Sequence, residues 1–300
     1  MTVLITGATG LIGTQLTADL HQAGHKVHFL TTRSAALKQE DNHSGFLWNP
    51  DKQEIDPGCI EGVDTIVHLV GAPISEPWTK AYRQEILDSR IQTMRLLEDT
   101  LKNNPHKVNH FISASGISIY PHSLTANYKE SDAAVADNFL GEVVVKWEAA
   151  ADRLEALGIK VAKLRTAVVL DADQGALPQI VKPVKLGVGA ALGSGDQWFS
   201  WIHLKDISGI YLHLIQYGLS GVYNGVAPKP VTNKELTYAV AESLGKKIIL
   251  PAVPGFVLKI AMGERANLVL EGQQVSSEKI EKAGYTFAYS DIATALSNLL

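Results

Sequence analysis

Short apolar runs alternate with longer helical stretches through the first half of the chain. The apolar runs, many of them β-branched, predict strands over residues 2–6, 26–31, 64–71, 108–117 and 159–170. The intervening stretches predict helices over residues 11–23 and 78–102, the second bounded by Pro77 and Pro105. Strands that alternate with helices in this way indicate an α/β protein with a doubly wound parallel sheet.

Further signals predict smaller elements. Residues 46–51 and 54–56 predict a hairpin, and residues 254–262 and 291–300 predict short helices. Thr232 and Glu235 have the spacing of a capping box at the start of a helix. Asp206 is the expected N-cap of a helix that extends through Gln216.

Three glycines at three-residue spacing join the first strand to the first helix. Gly7 permits a tight turn, Gly10 lets the backbone approach a pyrophosphate, and Gly13 allows the helix to pack on the sheet. The helix N-terminus would direct free N–H groups at the anion, with contacts from Thr9, Leu11 and Ile12. This pattern predicts a dinucleotide site, and the alternative interpretation is an ordinary turn between strand and helix.

The end of the second strand bears on the choice of cofactor. An acidic residue about 20 positions after the glycines binds the ribose of NAD, whereas an arginine pairs with the 2′-phosphate of NADP. No Asp or Glu lies between Leu20 and Gln39, and Thr32 and Arg33 follow the strand. We therefore predict NADP(H) with Thr32 and Arg33 as contacts; the alternative is a solvated loop arginine.

The strand over residues 64–71 ends at the carboxyl edge of the sheet, where open α/β folds bind ligands. Leu69, Val70 and Gly71 are therefore predicted to lie along the adenosine side of the nucleotide. His68 is interpreted as a buried strand residue, since nothing nearby in the sequence would orient it for catalysis.

The amino-acid composition and net charge indicate which class of molecule the protein binds. The chain has 300 residues, 46% of them hydrophobic and 19% charged, and a net charge of −4. These values indicate a globular protein with a small-molecule partner and argue against a nucleic-acid partner. Cys59 is the only cysteine, no apolar run reaches about 18 residues, and no pair of histidines has metal-ligand spacing together with a carboxylate partner. We expect a cytoplasmic protein with no metal and no membrane partner; the oligomeric state is left open.

The sequence of the glycine turn, Ala8-Thr9-Gly10-Leu11-Ile12-Gly13, resembles that of the extended, epimerase-like short-chain dehydrogenases/reductases. Pro73-Ile74, Trp78-Thr79, Glu85 and the run from Ser89 to Thr93 resemble the atypical branch named "epimerase family protein", also labelled cell-division-inhibitor-like. The resemblance implies a Rossmann-like fold in which Glu85 and Arg90 face the cofactor. The residues alone also allow a surface pair between Glu85 and Arg90.

The same resemblance assigns catalytic positions. Ser115 matches the serine that holds a substrate carbonyl or hydroxyl, and Lys146 matches the lysine of a Tyr-x-x-x-Lys motif that binds the nicotinamide ribose. Glu142 occupies the tyrosine position. It is interpreted as a base or as a surface carboxylate paired with Lys146. Tyr120 and Tyr128 are alternative phenols.

These residues lead to two functions. The first is an NADP(H)-binding, epimerase-family oxidoreductase that acts on an unknown small molecule, and the retained Ser115 and Lys146 favour it. The second is a non-catalytic NADP(H)-binding sensor or regulatory protein, which the missing tyrosine favours. We expect residues 1–170 to form the nucleotide-binding domain. Residues 171–300 are expected mainly to form a smaller substrate lobe, with residues 200–226 returning to the core.

Overall fold

The computed structural model describes residues 1–300 as fifteen strands and ten α-helices. The strands are β1 (Thr2–Thr6), β2 (Lys26–Thr31), β3 (Gln39–Glu40), β4 (His43–Asn49), β5 (Glu54–Ile55), β6 (Thr65–His68), β7 (His110–Gly116), β8 (Asn127–Tyr128), β9 (Lys160–Thr166), β10 (Val168–Leu170), β11 (Trp198–Phe199), β12 (Trp201–His203), β13 (Gly221–Gly225), β14 (Val231–Thr232) and β15 (Gln274–Val275). The helices are α1 (Leu11–Gln22), α2 (Lys80–Asn103), α3 (Phe139–Asp152), α4 (Leu177–Lys185), α5 (Leu204–Tyr217), α6 (Asn233–Ser243), α7 (Gly255–Met262), α8 (Asn267–Leu270), α9 (Glu278–Lys282) and α10 (Ile292–Leu299). None of these helices combines the length and apolar character needed to cross a bilayer.

The central sheet confirms the predicted doubly wound α/β class. Its strand order is β13-β9-β7-β6-β1-β2-β4-β3, and β5 pairs with β4. Strand β1 runs parallel to both neighbours, so that Ile5 lies opposite Phe29 of β2 and Val67 of β6. The chain winds outward from β1 through β2 and then crosses back to β6, which makes the gap between β1 and β6 the topological switch point. Ligands of such sheets bind at this point, outside the carboxyl ends of the strands.

The turn from β1 into α1 depends on the absence of side chains at two positions. Gly7 has a φ of +73°, which is in the left-handed region that favours glycine. A Cβ on Gly13 would lie only 2.2 Å from the carbonyl oxygen of Gly7. The first turn of α1 therefore packs directly on the end of β1.

Apolar side chains from strands and helices form the core around the sheet. Leu4, Ile66 and Phe111 of the central strands belong to one buried cluster with Met94 of α2 and Ala151 of α3. This cluster places α2 and α3 on the same layer of the fold. The hydroxyl of Ser208 in α5 donates to Asp19 of α1, which makes α1 and α5 neighbours.

By compactness, the chain divides into two units. The first comprises Met1–Ser115, Glu142–Arg165 and Ser208–Tyr223, and the second comprises Gly116–Gly141, Thr166–Ile207 and Asn224–Leu300. The second unit has its own buried cluster, which includes Leu170, Val181, Trp201, Leu236 and Leu296. The functional division expected near residue 170 stays a prediction.

Several local predictions hold and others need correction. The hairpin of β4 and β5 and the capping box of Thr232 and Glu235 are confirmed. The predicted strand over residues 159–170 is interrupted at Ala167, because β9 pairs within the central sheet whereas β10 pairs with β12. Asp206 is not an N-cap: α5 begins at Leu204, and the Asp206 carboxylate accepts from the N–H groups of Ala288 and Tyr289.

We expect Gly13→Ala to destabilise the protein by at least about 1–3 kcal/mol, because the new methyl group overlaps the Gly7 carbonyl and forces α1 away from β1. Gly10→Ala is the matched control, since its Cβ would lie 3.3 Å from the same oxygen and the φ of Gly10 is −79°. Urea unfolding measures both variants. Equal losses of unfolding free energy in the two variants would contradict the close packing of α1 on β1.

Candidate nucleotide-binding and catalytic site

The two glycine-bearing loops at the switch point touch each other. A Cβ on Gly7 would lie 3.2 Å from the backbone nitrogen of Val70 and 3.3 Å from the carbonyl carbon of Leu69. The turn after β1 and the segment of Leu69, Val70 and Gly71 after β6 therefore lie side by side. The structure brings together two of the segments that the sequence predicts for the nucleotide.

The N-terminus of α1 is open to an anion. Its N-cap residue, Gly10, supplies no side-chain hydrogen bond, and the first turn contains no acidic residue. Thr9 and Gly10 are exposed, and Leu11 and Ile12 are half-buried. The first N–H groups of a helix have no partner within it and carry its positive dipole, so this end can accept a phosphate group.

Thr32 and Arg33 follow β2, the strand next to β1, at the same edge of the sheet. Both side chains are exposed. The backbone N–H of Arg33 donates to the hydroxyl of Thr31 at 3.1 Å, while its guanidinium takes part in no ion pair. An exposed guanidinium without a carboxylate partner is free to bind an added phosphate.

Arg90 of α2 is a buried cation without a carboxylate partner. Its Nη1 donates to Ile86 O at 2.8 Å and its Nη2 to Ala72 O at 3.2 Å, while its Nε has no hydrogen-bond partner. The guanidinium lies 4.8 Å from the centre of the Trp147 ring. A Cβ on Gly71 would lie 2.9 Å from the guanidinium carbon, so a side chain at that position would displace the guanidinium. Burial lowers the pKa of Arg90 to about 10, which leaves it positively charged at neutral pH.

Glu85 and Arg90 do not form the surface pair that the sequence left open. Glu85 is exposed whereas Arg90 is buried, and no ion pair joins them. Because five positions along a helix correspond to a rotation of about 140° beyond one full turn, the two residues lie on different faces. Their assignment to the cofactor stays a prediction.

His68 is a buried strand residue, as expected, but the expectation that nothing orients it was wrong. The Thr93 hydroxyl donates to Ser89 O at 2.6 Å and therefore accepts from His68 Nε2, 3.1 Å away. His68 Nδ1 then carries no proton and accepts from the Thr6 hydroxyl at 2.9 Å. Burial, assisted by the nearby charge of Arg90, lowers the pKa of His68 to about 3, so the ring is neutral.

Ser115 ends in a buried polar cluster with Glu148 and Arg165. The Ser115 hydroxyl donates to Glu148 Oε1 at 2.6 Å, and Arg165 donates to both carboxylate oxygens of Glu148, from Nε at 2.8 Å and from Nη2 at 2.9 Å. All three residues are at most 7% exposed. Burial raises the pKa of Glu148, but the hydrogen bonds and charge of Arg165 outweigh it and the net shift is downward. Glu148 is therefore an ionised acceptor of the hydrogen bond that Ser115 donates.

Glu142 and Lys146 form a solvent-exposed pair on α3. Lys146 Nζ lies 2.5 Å from Glu142 Oε1, and the two side chains are 46% and 58% exposed. This geometry matches the surface-pair interpretation of Glu142. The catalytic assignment of Glu142 and Lys146 stays a prediction.

The two alternative phenols have different surroundings. Tyr120 is fully buried, and its hydroxyl donates to Asn224 Oδ1 at 2.9 Å. Asn224 is itself held by Glu130 and by the carbonyl of Ser276. The ring of Tyr128 stacks on that of Tyr120, with centroids 5.1 Å apart, and Tyr128 is half-buried. Tyr120 is thus fixed within a polar network, whereas Tyr128 retains access to solvent.

Sequence reasoning missed the contributions of Glu148, Arg165 and Trp147 to this region. Glu148 and Arg165 lie 33 and 50 positions after Ser115, and no local sequence pattern links either residue to Ser115. The sequence did contain one signal. Glu148 and Arg165 lie in apolar surroundings, and a charged residue that is buried there requires a partner of opposite charge.

The parallel sheet, its switch point and the uncapped helix define a dinucleotide-binding α/β protein. The sequence profile of the NAD dependent epimerase/dehydratase family matches residues 3–225, and that of a domain of unknown function, DUF1731, matches residues 253–299. The chain therefore belongs to the NAD-dependent epimerase/dehydratase family, as the resemblance implied.

Curated relatives match over the whole length of the chain. Epimerase family protein SDR39U1 of Homo sapiens is 32% identical, and the match covers all of both chains. Epimerase family protein YfhF of Bacillus subtilis is 33% identical, with all of this chain and 98% of the relative covered. These relatives confirm the epimerase-family branch; their names do not carry the cell-division label.

Solved structures show the same fold. The crystal structure of human SDR39U1 (isoform 2) with NADPH superposes with a TM-score of 0.87 at 32% identity, covering all of this chain and 99% of the other. A nucleoside-diphosphate sugar epimerase from Corynebacterium glutamicum gives a TM-score of 0.79 at 29% identity, covering 99% of this chain and 57% of the other. The Rossmann-like fold is confirmed.

The buried neutral His68 predicts a specific pH dependence of stability. Its pKa is about 3 in the folded protein and about 6.5 in the unfolded chain, so the unfolded state binds more protons at acidic pH. The stability that the neutral His68 contributes is fully present above pH 6.5 and is lost as the pH falls towards 3. Between pH 6 and pH 4.5, we expect the free energy of unfolding of the wild type to fall by up to about 1.4 kcal/mol per pH unit more steeply than that of His68→Gln. Urea unfolding at each pH gives the slopes; equal slopes would contradict this environment for His68.

The cluster around Glu148 predicts an asymmetry between two arginines. Arg165→Met leaves a buried carboxylate without its counter-ion and should reduce the free energy of unfolding by about 3–5 kcal/mol. Arg95→Met is the matched control, because Arg95 is 68% exposed and its partner Asp99 is 48% exposed. We expect the control to lose less than about 1 kcal/mol in urea unfolding. Similar losses would show that the Glu148 cluster is not a buried ion pair.

Proposed function

We propose that this chain binds NADP(H) at the switch point between β1 and β6 and acts as an epimerase-family oxidoreductase on a small molecule. The observation that carries the proposal is the juxtaposition of an uncapped helix N-terminus with an exposed, unpaired Arg33 at one sheet edge. The first suits a pyrophosphate and the second a 2′-phosphate. When bound, the nicotinamide would supply or accept a hydride.

The remaining predicted contacts support this location. The segment from Leu69 to Gly71 lies against Gly7, and the buried cation of Arg90 lies against Gly71 with its Nε unpartnered. A buried guanidinium with a free donor favours an acceptor group in its vicinity. The NADPH in the crystal structure of the human relative supports the same cofactor class.

A second function, a non-catalytic NADP(H)-binding sensor or regulatory protein, is favoured by a different observation. Glu142 stands where the superfamily has its catalytic tyrosine, and it is exposed and paired with Lys146. The Ser115 hydroxyl donates its proton in a hydrogen bond to Glu148 and so is not free to donate to a substrate. Incubation of the protein with deuterium-labelled NADPH and carbonyl compounds separates the two functions. Transfer of the label to a compound supports the oxidoreductase, and label retention with all compounds favours the sensor.

The cofactor choice gives a direct prediction. We expect tight NADPH binding and weaker NADH binding, and Arg33→Ala should weaken NADPH binding by about 10-fold to 100-fold, because a charge-assisted contact with the 2′-phosphate is lost. The affinity for NADH, which lacks that phosphate, should change by less than about twofold. Isothermal titration after removal of any co-purified nucleotide measures each affinity.

Arg95→Ala is the charge-matched control for this titration, because Arg95 is 68% exposed and its nearest ion-pair partner is Asp99 of the same helix. Its NADPH affinity should equal that of the wild type. An equal loss of NADPH and NADH affinity in Arg33→Ala would contradict the 2′-phosphate assignment. Absence of binding by either nucleotide would contradict the proposed function itself.

A further inference from the structure

Large apolar side chains are concentrated on an exposed part of the second compact unit. They come from the loop after α4, from the segment before α7 and from α7 itself, and they are Leu186, Val188, Ile249, Leu250, Phe256, Val257 and Ile260. Ile249 is 76% exposed, Phe256 67% and Ile260 82%. Single exposed apolar residues are common, whereas a group of this size marks an interaction surface.

The three segments lie next to one another. The N–H of Val253 donates to Ala191 O at 2.8 Å, and the N–H of Gly193 donates to Val253 O at 2.9 Å. A Cβ on Gly189 would lie 3.1 Å from Ile248 Cδ1. The loop after α4 therefore runs beside the segment that leads into α7.

Helix α7 continues this surface. It begins at Gly255, two residues after Val253, and none of its residues is buried. Phe256 and Ile260 are four positions apart and lie on one face of the helix. The exposed apolar side chains of α7 thus follow within a few residues of the two neighbouring segments.

The same segments carry positive charge only. Residues 174–195 and 243–263 contain no Asp or Glu, although the chain as a whole has a net charge of −4. Their lysines are all exposed, and none of them forms an ion pair; they are Lys182, Lys185, Lys246, Lys247 and Lys259. Along the chain the flanking carboxylates are Asp173, Asp196, Glu242 and Glu264. We call these lysines and the seven apolar residues the basic apolar surface.

We propose that the basic apolar surface docks the protein on an anionic lipid bilayer. Lysines attract acidic headgroups, while the apolar side chains of α7 and its neighbours enter the boundary between headgroups and acyl chains. A second copy of this chain is disfavoured as the occupant, because a symmetric contact would bring five unpaired lysines against five others.

This proposal differs from the expectation that the protein has no membrane partner. That expectation depended on the absence of an apolar run of about 18 residues, which is the signature of a segment that spans a bilayer. A docking surface assembled from segments some 60 positions apart has no such signature, because the fold alone brings them together.

Vesicle flotation tests the proposal with the full chain. We expect binding to vesicles of phosphatidylcholine with one third phosphatidylserine, little binding to phosphatidylcholine alone, and weaker binding at high salt. Lys246→Glu/Lys247→Glu should weaken binding by at least about tenfold, because each of the two lysines near an anionic surface contributes about fivefold to the affinity. Phe256→Ser/Ile260→Ser should weaken it similarly by removing the apolar side chains that enter the bilayer.

Two variants on other exposed positions are the matched controls, Lys52→Glu/Lys80→Glu for charge and Val135→Ser for apolar surface. Both should bind anionic vesicles like the wild type, and thermal unfolding checks that every variant folds. Absence of vesicle binding, or equal losses in the controls, would overturn the proposal. A dimer in light scattering that Phe256→Ser/Ile260→Ser dissociates would also overturn it, by assigning the surface to a second copy.

Discussion

The close contact between helix α1 and the end of strand β1 determines how the nucleotide edge of this protein is built. With a side chain at Gly13, a Cβ would stand 2.2 Å from the Gly7 carbonyl oxygen, so the helix can reach this position only with glycine there. Gly7 in turn lies against the backbone of Leu69 and Val70. One steric constraint thus fixes the helix N-terminus, the β1 turn and the β6 loop in the same place, which is where an anion meets free N–H groups.

The features that the sequence predicts well are those whose physical cause is local. Gly7 is required by its own positive φ, Gly13 by the carbonyl of Gly7 six positions away, and the capping box of Thr232 and Glu235 spans three positions. The position of Arg33 follows from the end of β2, so its place at the sheet edge could also be predicted. The sequence leaves open whether the Arg33 side chain is exposed and whether it has a carboxylate partner. Both had to be observed in the structure.

The features that the sequence does not predict arise from contacts between distant residues. The two partners of His68 are Thr6 and Thr93, which are 62 and 25 positions away. The break in the predicted strand at Ala167 reflects a change of partner, because β9 lies beside β13 in the central sheet and β10 pairs with β12. Likewise, Ser115 looks like a free strand-end serine until the fold places Glu148 and Arg165 beside it. Periodicity and spacing carry no information about such pairings, because they describe neighbours along the chain.

The contrast between local contacts and contacts of distant residues divides the candidate site into two parts. The nucleotide-binding part uses backbone N–H groups and guanidinium groups, which need no proton transfer to bind a phosphate. The candidate catalytic part contains a hydroxyl that already acts as a donor, because Ser115 donates its proton in a hydrogen bond to Glu148 Oε1. A hydroxyl that donates its only proton to a carboxylate meets a substrate as an acceptor, so Ser115 suits an O–H or N–H group better than a carbonyl. Reduction of a carbonyl at Ser115 would therefore require a proton carrier other than this hydroxyl.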